Sequence, residues 1–324
     1  MKVFKYILTL LVVFLISGYF LLQNHSVQNR LFENTVRELF QADEIFMNDA
    51  LSVAVCGSRA PLPSPNRAET CLLVQAGTSK FIIDTGRGSA DNLQRWRVDY
   101  SDLEAVILSH LHSDHISDLH EVQFQSWLGG RKTPLSVIGP VGTASTAQGF
   151  EQAFNLDSIY RSEHHGAILP IEAYGYDVVE FDGDSALIFQ NEDTSITAFK
   201  VDHSPVDPSY AFKIEYKDRS IVLSGDTISL EVMTEYSKGV DVLFHDALAL
   251  PLIQEMERIS KELGNDVVSK VLFDIQDYHA NTIEVADIAK KAEVDLLVFY
   301  HLIPAPINYI SEQMFLRGVD EIFS

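Results

Sequence analysis

The chain has 324 residues, 46% of them apolar and 22% charged, which suits a globular protein with one large core or two modest ones. The formal charge of -22, from 46 acidic against 24 basic side chains, excludes a nucleic-acid-binding surface unless a basic stripe is concentrated somewhere. No such stripe, repeat or low-complexity tract is visible, and residues 131–200 hold only Arg131, Lys132, Arg161 and Lys200 against ten acidic residues.

From the N-terminus, Lys2 and Lys5 lead into an uncharged run from Tyr6 to Leu22. At ~1.5 Å per residue the run spans roughly 25 Å as a helix, close to a thin bilayer core. The basic residues ahead of it predict an N-inside orientation. Leu22-Gln23-Asn24-His25 lacks the small residues of a cleavage site, so residues 1–30 read as an uncleaved signal anchor that meets the membrane through residues 6–22. A cleaved signal peptide is the alternative. A buried core helix is disfavoured, because every long side chain in the run is apolar. The reading places the remainder of the chain on the periplasmic or extracellular side. Residues 31–49 follow as an amphipathic linker helix, with Leu31, Val36, Leu39, Phe40 and Phe46 at near-helical spacing.

From Leu51 the pattern changes to short apolar strands at Leu51–Cys56, Cys71–Gln75, Lys80–Asp84 and Ala105–Ser109, punctuated by Gly and Pro. A helix follows with Ile116, Leu119, Val122 and Trp127 on one side. Further strands are predicted at Thr197–Val201, Tyr210–Tyr216, Ser220–Ser224, Val240–Phe244 and Leu296–Tyr300, with helices near 250–262 and 283–292. Strands mixed with helices, without strict alternation, predict packed sheets covered by helices in an α/β fold. No composition break divides the chain after the linker, so three segments result: an anchor over 1–30, a linker over 31–50 and one domain over 51–324. Cys56 and Cys71 flank a turn rich in proline. An exported location permits a disulfide between them; two buried thiols fit the sequence equally.

The chemistry concentrates in His110-Leu111-His112-Ser113-Asp114-His115, directly after the apolar Ala105-Val106-Ile107-Leu108. Extended residues at i and i+2 point the same way, so His110 and His112 can grip one metal ion. Asp114 and His115, beyond the strand end, can turn toward a second. Imidazole with an occasional carboxylate is the donor set of zinc, although manganese or iron accept the same donors.

This H-x-H-x-D-H segment resembles the signature of the metallo-β-lactamase superfamily, and the resemblance runs from about Leu51 to Leu302. It implies an αββα sandwich, here preceded by an N-terminal transmembrane helix, and two Zn²⁺ ions per chain. It implies that His203, in Val201-Asp202-His203, joins His110 and His112 on the first metal. Asp226, in Ser224-Gly225-Asp226, would bridge both ions, and His301 would complete the second site with Asp114 and His115. Asp84, in Ile83-Asp84-Thr85-Gly86, would orient metal-binding histidines. Within the superfamily the chain is most similar to the tRNase Z and arylsulfatase-like branch. Ser64-Pro65-Asn66-Arg67 resembles its S-P-x-R-type turn. Val242-Leu243-Phe244-His245-Asp246-Ala247 resembles its H-E-A-T segment, with Asp246 in place of glutamate. His279-Ala280-Asn281-Thr282 resembles its H-S-T segment, with one residue more. In that branch the histidine matching His279 lies beside the scissile phosphate or sulfate.

The residues around His279 support such a role. Asn281 and Glu284 make a capping box for the following helix, and helix N-termini favour anions. His245 reads either as a buried strand-end residue or as support for Asp246 and His279. The resemblance implies ester hydrolysis by water shared between two zinc ions. Asp114 would act on that water, and His279, supported by Asp246, would stabilise the anionic transition state. The acidic surface and the anchor argue against tRNA, so the expected substrate is a small exported phosphodiester or sulfate ester. Lactones or carboxylic esters, tRNA 3′ processing and a non-catalytic metal-binding scaffold are the alternatives. Nucleic-acid partners are disfavoured, and a homodimer is an implication of the resemblance alone.

Overall fold

The computed structural model describes residues 2–41, 45–47 and 49–324. Two compact units result. One holds the N-terminal helices with Trp96–Val98; the other holds the rest of the chain from Ile45. In the first unit the apolar run forms α1 (Lys2–Leu22), and α2 (His25–Leu39) follows. The stretch Phe4–Leu22 is long and apolar enough to cross a membrane, and none of it is buried. Asn24 caps α2 by accepting the N–H groups of Ser26 and Val27. The linker helix expected over 31–49 therefore starts earlier, at His25, and stops at Leu39; its residues 42–44 and 48 lie outside the described residues.

The second unit opens with β1 (Leu51–Gly57), β2 (Cys71–Ala76), β3 (Ser79–Ile83), α3 (Ser89–Arg95) and β4 (Ala105–Ile107). After these come α4 (Ser113–Ile116), α5 (Leu119–Leu128), β5 (Leu135–Pro140), α6 (Thr143–His165) and β6 (Tyr176–Phe181). These six strands form one sheet in sequence order. A second six-stranded sheet holds β7 (Ser185–Gln190), β8 (Thr194–His203), β9 (Val206–Tyr216), β10 (Arg219–Leu223), β11 (Val242–Leu248) and β12 (Leu296–Ile303), again in order. Its helices are α7 (Glu231–Tyr236), α8 (Leu250–Glu262), α9 (Asp266–Asp274), α10 (Thr282–Ala292) and α11 (Tyr309–Phe315).

Alternation along the strands explains the layering. Leu72 and Val74, Phe81 and Ile83, and Ala105 and Ile107 face across to Tyr210, Phe212, Ile214, Ile221 and Leu223 of the other sheet. The intervening residues face helices: Val222 and Leu243 pack with Met233 of α7 and with Ile288, Ala289 and Ala292 of α10. The result is an αββα sandwich. Strands such as Ala105–Ile107 are buried on both faces, which is why they read as unbroken apolar runs.

β5, β6, β7, α6 and α9 were not anticipated. α6 buries only Thr143, Ala147 and Ser158, so its sequence carries almost no helical apolar period. β6 interleaves charges with half-buried residues. The cysteine question resolves into a disulfide. A bulge between Val55 and Gly57 brings Cys56 against Cys71 on the neighbouring antiparallel strand, and the two are bonded with Cα atoms 5.0 Å apart.

Candidate metal centre

The centre lies where parallel strands β3, β4, β10, β11 and β12 end, so each carboxyl-terminal loop delivers its side chains to one rim. The loop after β4 carries His110 and His112. His112 is in an extended conformation (φ -64°, ψ 149°), and the single turn of α4 then begins. That change of direction separates His110 and His112 from Asp114 and His115. β8 ends in His203, and Asp226 follows β10 through Gly225. Gly225 has φ +59°, and a Cβ there would sit 2.5 Å from the Tyr210 carbonyl oxygen, so only glycine lets the chain turn Asp226 inward. His301 is the extra residue of a bulge in β12: Asp246 pairs with Tyr300 and Ala247 with Leu302, leaving His301 out of the ladder. His301 and Asp84 both hold positive φ (47° and 57°), a conformation costly for side-chain-bearing residues and concentrated at functional sites.

The expected donors converge in two groups. His110, His112, His203 and Asp226 form one; Asp114, His115 and His301 form the other; in each, the donor atoms lie within 4.8 Å of one another. His279 also offers a nitrogen to a group with Asp226 and His301. Asp226 Oδ2 lies 3.9 Å from His110 Nε2, 3.3 Å from His115 Nε2, 3.8 Å from His203 Nε2 and 3.1 Å from His301 Nε2. His112 Nδ1 is 3.1 Å from His110 Nε2 and 3.3 Å from His203 Nε2. Tetrahedral donors at ~2.0–2.1 Å from a zinc ion stand about 3.4 Å apart, so the spacing suits the ion. Asp226 Oδ1 and His115 Nε2 are buried without a hydrogen-bond partner. Such orphaned polar atoms are costly unless a cation satisfies them.

For His115 and His203 the other ring nitrogen is occupied, which aims the donor; His301 Nδ1 is buried without a partner. Asp84 Oδ2 lies 2.8 Å from His115 Nδ1 and accepts from Ser109 Oγ at 2.8 Å, while Asp84 Oδ1 accepts the Ser109 N–H. His203 Nδ1 lies 3.0 Å from the Tyr278 carbonyl oxygen, which can accept its proton. Ser109 and Tyr278 were missed by sequence reasoning. Serine beside a histidine carries no signal of its own, and Tyr278 acts through its backbone.

Burial and charge oppose each other here. Burial pushes the His110 imidazole well below its usual range, with the neighbouring His115 adding to the shift. Burial also disfavours charge on His115, but Asp226, Asp84 and Asp114 outweigh it and hold that imidazole well above its usual range. Burial raises the Asp114 carboxyl, and His115 and His301 more than reverse this, lowering it to about 2. For Asp226 the same contest ends well below the ordinary carboxylate range, through His301 and His115.

Beside the donors lies a second array. His279 Nδ1 is 2.9 Å from Asp246 Oδ2, and His245 Nδ1 is 2.9 Å from Asp246 Oδ1. Ser224 Oγ accepts the Asp246 N–H at 2.9 Å. Asp246 is fully buried; burial raises its carboxyl, but the bonds from His245 and His279 win and lower it. Both sequence alternatives for His245 hold together: it is a buried strand residue and it touches Asp246. The capping box at Asn281 and Glu284 is present and starts α10 just after His279. His120, His164 and His165 are absent from the donor groups.

The fold and this rim define a metal-dependent hydrolase of the metallo-β-lactamase class. Among curated proteins, the ribonuclease Z of Mycobacterium bovis (strain BCG / Pasteur 1173P2) is 33% identical over 261 residues, spanning 79% of this chain and 87% of its own length. That of Mycobacterium marinum (strain ATCC BAA-535 / M) is 35% identical over 263 residues, spanning 79% and 88%. The solved structure of human tRNase Z, short form, superposes with a TM-score of 0.57 at 21% identity, covering 78% of this chain and 92% of that one. The metallo-β-lactamase fold protein YhfI from Bacillus subtilis gives 0.61 at 21% identity, covering 85% and 93%. The family described as Anti-Pycsar protein Apyc1 matches residues 57–254. The chain belongs to the ribonuclease Z-related branch of the metallo-β-lactamase superfamily and to the family of that description. It is a metal-dependent hydrolase that acts on ester bonds.

Proposed function

We propose that the chain is a phosphodiesterase that works with two zinc ions. One would be held by His110, His112 and His203, the other by Asp114, His115 and His301, with Asp226 shared. The observation that carries this reading is the position of Asp226, whose Oδ2 lies within 4 Å of four imidazole nitrogens from both groups. Bound there, the ions would lower the pKa of a shared water toward ~7 and draw charge from the phosphoryl oxygens. With the ions bound, Asp114 would orient that water and accept its proton. His279 donates its Nδ1–H to Asp246; as the imidazolium it would present an Nε2–H to the phosphate and give that proton to the leaving oxygen, returning to the neutral ring. Asp246 fixes the orientation of the ring, while His245 and Ser224 hold Asp246.

The relatives' name, ribonuclease Z, supports the phosphodiester bond of RNA as the target and runs against the expectation that nucleic acid is excluded. A small diester is the second reading, favoured by the ten acidic residues against four basic ones in 131–200. The sulfate-ester and lactone readings gain nothing from these relatives. Anchoring through residues 6–22, with export of the domain over 51–324, is supported by the unburied apolar helix and by the disulfide, which suits an oxidising compartment.

The test is turnover of bis(p-nitrophenyl) phosphate, p-nitrophenyl sulfate, an acyl-lactone and a tRNA precursor by the zinc-loaded full-length chain. Diester cleavage that a chelator abolishes is expected. Faster turnover of the sulfate or the lactone would overturn the reading.

A further inference from the structure

Packing gathers arginines that the chain scatters. Arg59, Arg67, Arg87 and Arg95 line a single groove of about 770 Å³ with Ser64 and Asn92. Arg59 and Arg67 are neutralised, by Glu69 at 2.9 Å and Glu312 at 3.2 Å. Arg87 and Arg95 are exposed and make no ion pair among the described residues; Arg95 Nε donates to the Asp91 carbonyl, and Glu69 accepts the Arg87 backbone N–H. Asp91 is the one carboxylate among the residues described as lining the groove. Ser64 Oγ is buried there without a hydrogen-bond partner. In a chain of charge -22, this groove holds two unpaired arginines against one carboxylate, Asp91, a local excess of positive charge with neutral donors beside it.

Arg87, Gly88 and Asp91 also line an adjoining cavity of about 840 Å³ with aromatic walls. His120 stacks on Phe154 with centroids 3.3 Å apart and planes 5° apart, and the Arg161 guanidinium lies 4.6 Å from the centre of the Phe124 ring. His120 Nδ1 is buried and unpartnered. Of the carboxylates of this cavity, Asp157 is neutralised by Arg161, whereas Asp118 accepts the Ala90 N–H and Glu121 the amides of Gln94 and Gln125, and these two with Asp91 stay anionic on the aromatic side. An aromatic wall joined to a cationic groove is the arrangement that holds unpaired nucleotides, by stacking for the base and by charge for the phosphate.

We propose that the two cavities form one nucleotide subsite, with a base against His120 and Phe154 and its phosphates on Arg87 and Arg95. The subsite rests on the phosphodiesterase reading, because it would hold the part of a polynucleotide strand next to the scissile bond. It is built on the segments that build the metal centre. The loop after β3 carries both Asp84 and Arg87, and α4 and α5 carry His115 and His120. Its ligand is a single-stranded nucleotide segment; a duplex would not offer an unstacked base.

The test uses the zinc-loaded full-length chain and a fluorescein-labelled phosphorothioate oligoribonucleotide, read by anisotropy across a salt series. Arg87→Ala with Arg95→Ala should weaken binding by at least about tenfold and flatten the log–log salt slope by about 1.4, the value for two lost single-strand phosphate contacts. Phe154→Ala should weaken binding about tenfold with the slope unchanged. Unchanged thermal midpoints confirm that the variants fold. Wild-type affinity and slope in both variants would overturn the subsite. So would failure of the wild type to bind the oligonucleotide, or binding to phosphatidylglycerol vesicles through the same arginines instead. Turnover of bis(p-nitrophenyl) phosphate separates the two readings: if it persists while the oligonucleotide fails, the subsite falls and the phosphodiesterase stands.

Discussion

The two sheets supply the metal centre in different ways. The first, β1 to β6, brings four donors from six consecutive residues at the end of β4, and the loop after β3 adds Asp84 to hold them. The second, β7 to β12, brings one residue from each of four strand ends: His203 of β8, Asp226 just past β10, Asp246 of β11 and His301 of β12, with His279 ahead of α10. The first half is also braced by the Cys56–Cys71 disulfide and by the Arg59–Glu69 pair, whose side chains are only 11% and 10% exposed. The second half depends on backbone geometry instead, through Gly225 and the His301 bulge. A local cluster can be positioned by one strand and one turn. Donors drawn one at a time from three strand ends need the whole sheet in register.

The sharpest way to break this contrast is to remove one donor from each half. His110→Ala should leave about one ion per chain, because it belongs to one group, whereas Asp226→Ala should leave almost none. Turnover should fall more than about a thousandfold in both, with ion content measured by mass spectrometry. Equal ion loss would mean that Asp226 does not join the two groups. Next in size, Asp246→Asn should lower kcat about 10²–10³-fold with ion content intact, and Asp246→Glu, the residue typical of the branch, should recover most of it. An Asp246→Asn enzyme of normal kcat would make the His279 pair structural only.

The remaining predictions concern stability. Cys56→Ala with Cys71→Ala should cost about 3 kcal/mol for a separation of 15 residues, seen as a lower denaturation midpoint. No loss would show that the first half is braced by packing alone. The smallest effect belongs to the second half. Asp241 accepts the Ser220 N–H and pairs with Arg219, and these lower its carboxyl against a smaller opposing effect of burial. A group with a depressed folded pKa contributes fully above the unfolded value near ~3.9 and loses its contribution as pH falls through the folded value. Asp241→Asn should therefore cost about 1 kcal/mol at neutral pH and progressively less in acid, as chemical denaturation would record.

How much was legible follows the same division. His110, His112, Asp114 and His115 announce themselves, because four metal-binding side chains in six residues after an apolar strand are hard to explain otherwise. His203, Asp226 and His301 each look ordinary alone and became candidates only through their order along a known pattern. Ser109 and the Tyr278 carbonyl carried no signal, since a backbone oxygen or a common hydroxyl gains its role only from where it lands. The long α6 was missed because it buries too little to mark its face. The basic groove was missed because Arg59, Arg67, Arg87 and Arg95 form no run in the chain.

By itself, then, the sequence determined most of the sheet-forming runs (though not β5 to β7), the apolar N-terminal helix, the donor types and the mixed α/β architecture, because these depend on periodicity and side-chain chemistry over a few residues. Only the tertiary structure decided that one carboxylate, Asp226, stands within reach of four imidazoles, that Asp246 holds His279, that the cysteines bond and that scattered arginines meet in one groove. Those relations join residues separated by tens to hundreds of positions. Their distances are set by sheet register, a bulge and a glycine turn, which no local pattern specifies.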